Sequence, residues 1–142
     1  MEFVLDFNVV FSALYGRGVA YKIFMLNHVL KALTFLVPQY FWKELEGKRD
    51  RLSRVTRLTP EEVEYILSII QKQIVIIPEN IVKEGLKDAL KLSPDPKDVP
   101  YVALALSIKA PLLTGDLKLR RAVENRINVY SPSEVLELLE NF

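Results

Sequence analysis

The sequence has no cysteine and a single histidine, His28. Without thiols there are no disulfides and no thiolate-bound zinc. With one imidazole there is no histidine-rich metal site, which leaves oxygen donors as the realistic ligands. An excess of one charge is also missing: 19 basic residues stand against 18 acidic ones, for a net charge of +1. Any contact with nucleic acid must therefore come from local patches. No uncharged apolar run approaches the ~20 residues of a membrane helix. The first residues carry Glu2 and Asp6, not a basic segment followed by an apolar one, so no secretory signal is expected. The expectation is a cytoplasmic protein with no membrane contact. Repeats, low-complexity tracts and linker-like composition shifts are absent as well.

What is present is a chain of 142 residues, half of them hydrophobic. That is enough for one domain, residues 1–142, with a core of its own. Short apolar runs at residues 3–5, 34–37, 74–77, 112–114 and 127–130 read as strands, most of them rich in β-branched residues. Between them lie helix signals. Thr59-Pro60-Glu61-Glu62 and Ser131-Pro132-Ser133-Glu134 are capping boxes with proline at the first helical position. Each is followed by an apolar face at helical spacing. A further helix is expected over residues 19–33, facing a subunit partner or antitoxin or, more simply, buried in the protein's own core. A short one should run from Pro38 to Glu44, stopping near Gly47. Another should start at Asp98 and Pro100 and carry the apolar run 101–106. This alternation predicts an α/β fold: a three-layer α/β/α sandwich with a mainly parallel central sheet of about five strands.

Ligands of such sheets bind beyond the carboxyl ends of the strands. Asp6 follows the first predicted strand and Asp116 the fourth. Asp98 opens the helix leading into the fourth, and Glu44 lies near the end of the helix after the second. Each acid has a plainer explanation. Asp6, Asp98 and Asp116 could cap helices, and Glu44 could be a solvated helix-face residue. Gathered in one pocket, four carboxylates would raise one another's pKa values. A divalent cation would resolve the repulsion, and with oxygen donors alone Mg²⁺ or Mn²⁺ is the natural guest. A cation held by a few carboxylates and waters suits phosphate-ester hydrolysis.

With these acids in view, the sequence resembles the PIN-domain nucleases, in particular the toxin branch of toxin–antitoxin systems. The stretch Val4-Leu5-Asp6-Phe7-Asn8-Val9-Val10 looks like the family's opening motif. VPQYFWKELEG is similar to its second, with Glu44 as the helix acid. DPKDVPYVALALSIKAPLLTGDLKL resembles the third and fourth together, with Asp98 eighteen positions before Asp116 and Thr114-Gly115-Asp116 closing the strand. The closing VYSPSEVLELL also looks like the family's final strand and helix, so the resemblance spans nearly the whole chain.

The resemblance implies a metal-dependent ribonuclease that cuts single-stranded RNA, with Mg²⁺ or Mn²⁺ as cofactor. Asp6, Asp98 and Asp116 would hold the metal. Glu44 would complete the catalytic set, and Asn8, Thr114 and Asp95 would support it. A metal-activated water would attack, so no serine, cysteine or histidine nucleophile is required. Implied partners are an antitoxin protein and further copies of the chain, as a homodimer or higher homo-oligomer. Two departures stand out. Phe7 follows Asp6 where the family has Thr or Ser, so a hydroxyl that would orient Asp6 is expected to be missing. Asp95 lies three residues before Asp98, and Asp98 is taken as the ligand on its spacing to Ala103, Ala105 and Asp116.

Cations for RNA phosphates are available in two runs. One holds Lys48 and Arg49, with Arg51, Arg54 and Arg57 beyond; the other holds Lys118, Arg120 and Arg121. Either run could meet phosphates or form a solvated helix face. Tyr40, Phe41 and Trp42 are expected to pack rather than stack on bases. Two other acid-using families fit less well. A haloacid-dehalogenase-type phosphatase needs a second Asp where Asn8 stands. A response-regulator receiver needs a phosphoacceptor Asp after a central strand, where this chain has Pro78-Glu79. A non-catalytic PIN-like RNA-binding or assembly module and a housekeeping RNA-processing nuclease remain as alternatives.

Overall fold

The structure, a computed structural model, describes all residues from Met1 to Phe142. Five parallel strands form one sheet in the order β3-β2-β1-β4-β5. They are β1 (Glu2–Leu5), β2 (Thr34–Pro38), β3 (Ile74–Ile77), β4 (Leu112–Leu113) and β5 (Val129–Tyr130). Helices flank the sheet in the predicted α/β arrangement. They are α1 (Phe7–Tyr15), α2 (Val19–Leu30), α3 (Tyr40–Val55), α4 (Pro60–Gln71), α5 (Glu79–Val82), α6 (Leu86–Leu92), α7 (Val99–Ile108), α8 (Leu117–Val123) and α9 (Pro132–Glu140). Helix α7 packs on β1, β2 and β4 and carries α5 and α6, while α2 packs with α1, α4 and α9. A single apolar cluster runs from Phe3 to Leu139. No single helix is long and apolar enough to cross a membrane.

Local signals set several boundaries. Both capping boxes form: Thr59 and Glu62 open α4, and Ser131 and Glu134 open α9, each by two reciprocal hydrogen bonds. Helix α2 stops at Leu30, short of the predicted residue 33. Buried Asn27 accepts hydrogen bonds from the backbone N–H groups of Ala32 and Leu33, which draws the chain out of the helix, and Lys31 turns left-handed at φ 54°.

Helix α3 departs further from its prediction. Pro38 ends β2, paired with Ile77, and the helix starts at Tyr40 and runs through Gly47 to Val55. Glycine inside a helix costs about 1 kcal/mol relative to alanine. Here that penalty is offset by burial of Phe41, Leu45 and Leu52 on one face and by the pairs Glu44–Lys48 and Glu46–Arg49.

The strand order matters most for function. β1 connects to β2 on one side and has β4 on the other, so the direction of winding reverses between β1 and β4. That reversal opens a crevice at the strands' carboxyl ends. Asp6 and Asp116 sit just beyond those two ends.

Candidate active site

Asp6, Glu44, Asp98 and Asp116 line one open cleft of about 380 Å³, together with Asp95, Asn8, Phe7, Phe11, Ser12, Lys48, Arg51 and Lys97. Each acid is positioned by a different device. The Asp6 backbone N–H donates to the carbonyl of Leu113, which fixes its place at the crevice. Thr114 Oγ1 donates to Asp6 Oδ2 at 2.7 Å and accepts from the Asp116 N–H at 3.1 Å. One buried hydroxyl thus links the two acids that close β1 and β4. The loss expected from Phe7 is made good from across the sheet, because Thr114 supplies the hydroxyl that orients Asp6.

Phe7 has a separate use. Its ring is buried against Phe41, 5.5 Å between centroids, and the Lys48 ammonium lies 4.7 Å from its centre. Lys48 also pairs with Glu44 Oε2 at 3.3 Å, while the buried Tyr101 hydroxyl donates to Glu44 Oε1 at 2.5 Å. Glu44 is therefore gripped at both oxygens, and its side chain is only 8 % exposed. The solvated-face reading of Glu44 does not hold.

The capping explanations divide. Asp116 does cap α8, its Oδ1 accepting from the N–H groups of Lys118 and Leu119. Asp6 and Asp98 occupy N-cap positions without making a side-chain cap hydrogen bond. Asp95 makes the turn instead, accepting from the Lys97 N–H. That leaves the Asp98 carboxylate uncommitted in the cleft.

Burial pushes the Asp6 carboxyl up to about 6, and Glu44 and Asp116 add repulsion, against a lowering by the Thr114 hydrogen bond. Asp98 is also raised to about 6, by burial first and then by Asp6, Asp116 and Asp95. Burial and the Glu44 carboxylate hold the Tyr101 phenol well above its ordinary value, so it remains a donor.

No three acids are close enough to form a finished metal shell. The shared cleft and the raised carboxyls point the other way, and they carry more weight here, since un-neutralised carboxylates repel one another. Asn8 Oδ1 is buried and has no partner in the chain, one more oxygen donor at the same place. An all-oxygen set with unbalanced negative charge fits a divalent cation.

The cations sort differently from their order in the sequence. Lys48 and Arg51 line the cleft, and Lys97, which the sequence did not single out, joins them. Arg49 is taken up by Glu46 and Glu64. Arg120 is held by Glu134 at 2.6 Å, and Lys118 and Arg121 do not line the cleft. Phe41 is buried and in edge contact with Trp42, and Tyr40 contacts Tyr101 edge-on. Tyr101 was missed as a site residue because it reads as one more apolar letter of α7. Its one signal is a hydroxyl-bearing ring three residues after Asp98.

The family profile described as PIN domain matches residues 4–136. A chain from the crystal structure of VapBC2 from Rickettsia felis bound to a DNA fragment from their promoter has the same fold. The TM-score is 0.65 at 17 % identity, and the match covers 92 % of this chain and 98 % of that one. No curated protein is a significant match. By the extent of the profile match and by its fold, this chain belongs to the PIN-domain family.

Proposed function

We propose that the protein is a Mg²⁺- or Mn²⁺-dependent endoribonuclease that hydrolyses phosphodiester bonds of single-stranded RNA, and that it is the toxin of a toxin–antitoxin pair. One observation carries the chemistry: four carboxylates from distant parts of the chain share the crevice where the sheet reverses its winding. Asp6, Asp98 and Asp116 would hold the cation, with Glu44 beside them. When bound, the cation supplies neutralisation of the phosphate oxygens and acidifies water.

The chain's own residues keep those acids in place. Thr114 fixes Asp6 relative to Asp116. Tyr101 and Lys48 hold Glu44 so that its carboxylate stays aimed while the substrate changes. Lys48, Arg51 and Lys97 offset the negative field that would otherwise repel a polyanion. The toxin reading is supported by the likeness to a chain of the VapBC2 complex. It makes an antitoxin and a second copy of the chain the expected protein partners, with the cytoplasm as the expected location.

The test uses purified protein and a labelled single-stranded RNA. Cleavage should require Mg²⁺ or Mn²⁺ and stop with EDTA. Asp116→Asn should lose cleavage and keep its fold, because asparagine caps a helix as well as aspartate does. Metal-independent cutting, or full activity in Asp116→Asn, would overturn the assignment.

A further inference from the structure

Helix α1 shows one stripe to solvent. Phe7, Val9, Val10, Ala13 and Leu14 are buried, while Asn8, Phe11, Ser12 and Tyr15 recur at the spacing of a single helical face. Asn8, Phe11 and Ser12 line the acidic cleft, and Tyr15 lines the neighbouring one. The Phe11 and Tyr15 rings are stacked, 6.2 Å between centroids with 20° between planes. Tyr15 is 62 % exposed. It belongs to no part of the apolar core, whereas Phe11 is partly buried and packs against that core. Core packing accounts for the inner side of Phe11 but not for Tyr15, whose exposed ring stacks on it at the last residue of the helix that Asp6 precedes.

We propose that Phe11 and Tyr15 form a base-stacking platform for the unpaired nucleotides next to the phosphate held in the acidic cleft. This rests on the ribonuclease reading of that cleft. At 1.5 Å per residue, Tyr15 lies about 10 Å along the helix from Asn8. A strand with its phosphate at the acids therefore has its neighbouring bases beside these rings. Every base has a face that stacks on an aromatic ring, so such a platform accepts single strands with little sequence preference. Paired bases, whose faces are already covered, are refused. Arg51 and Lys97 line the same cleft and take part in no ion pair, which leaves them free for flanking phosphates. Beyond Tyr15 the neighbouring cleft is lined by Glu61 and Glu62 as well as Arg17.

The experiment compares Tyr15→Leu and Tyr15→Trp with the wild type on two RNAs. One is an ordinary single strand; the other is the same strand made abasic at the nucleotides flanking the cut. Binding is read by fluorescence anisotropy in an Asp116→Asn background, and cleavage by the metal-loaded enzymes. Tyr15→Leu should weaken binding of the ordinary strand roughly 5- to 150-fold, Tyr15→Trp should restore it, and the abasic strand should not distinguish the three. Equal binding of the ordinary strand by Tyr15→Leu and wild type overturns the platform. So does a loss that persists with the abasic strand or that tryptophan does not restore, which is the behaviour of a protein-docking or folding residue. Equal cleavage of the ordinary strand by the wild type and both position-15 variants removes the platform and leaves the nuclease reading intact. A wild type that neither binds nor cuts RNA removes both.

Discussion

Replacing Asp6 with asparagine should stabilise the metal-free protein while abolishing its activity. Asp6 is 6 % exposed, and its carboxyl is raised from 3.8 to about 6, chiefly by burial. A rise of roughly two pKa units corresponds to about 3 kcal/mol of penalty on the ionised form. The sign follows from proton uptake. Between pH ~4 and ~6 the folded state holds more protons at this site than the unfolded state, so stability falls as pH rises through that window and levels off above it. Asparagine removes the charge and keeps an oxygen to accept from Thr114. At pH 7.5 in EDTA the variant should therefore gain up to about 3 kcal/mol in urea unfolding, or roughly 10 °C in Tm for a chain of this size. The gain should shrink towards pH 4, where Asp6 itself becomes neutral. Added Mg²⁺ or Mn²⁺ should stabilise the wild type and leave the variant nearly unchanged. A variant less stable than wild type at pH 7.5 in EDTA, or a gain that grows on acidification, would refute the reasoning.

Other substitutions follow from the same geometry. Tyr101→Phe deletes the donor to Glu44 Oε1 and should lose about 1–3 kcal/mol of stability. It should also lower kcat more than it raises KM, since Glu44 would be loosened and not removed. The glycines should behave oppositely under substitution by alanine. At Gly47, inside α3, a methyl meets nothing within 4 Å, so Gly47→Ala should stabilise by about 1 kcal/mol. At Gly85 it would lie 2.3 Å from the Ala103 carbonyl oxygen and 2.9 Å from Ser107 Oγ. Gly85→Ala should therefore destabilise by at least 1–3 kcal/mol, and both are read by chemical denaturation.

Much of the scaffold was legible because it is encoded locally. The residue types of 74–77 announce a strand, and the two capping boxes act between residues three apart. Boundaries failed where a distant contact overruled the local signal. Gly47 looked like a stop until burial of Leu45 and Leu52 carried α3 past it. Asn27 ended α2 early through hydrogen bonds no periodicity reveals. The run at residues 74–77 is wholly apolar, yet β3 is an edge strand and leaves Val75 47 % exposed.

By itself the sequence determined the order of the main elements, the acids that stand in or beside them and the lack of thiol ligands, since each depends on residue type or on neighbours a few positions away. Tertiary structure alone decided how those acids are held and what surrounds them. Thr114 reaches Asp6 across 108 positions and Tyr101 reaches Glu44 across 57, and Lys48 and Arg51 rather than Lys118 and Arg121 came to face the cleft. Strand order and helix rotation bring such groups together, and both follow from burial summed over the whole chain, which no short window of sequence contains.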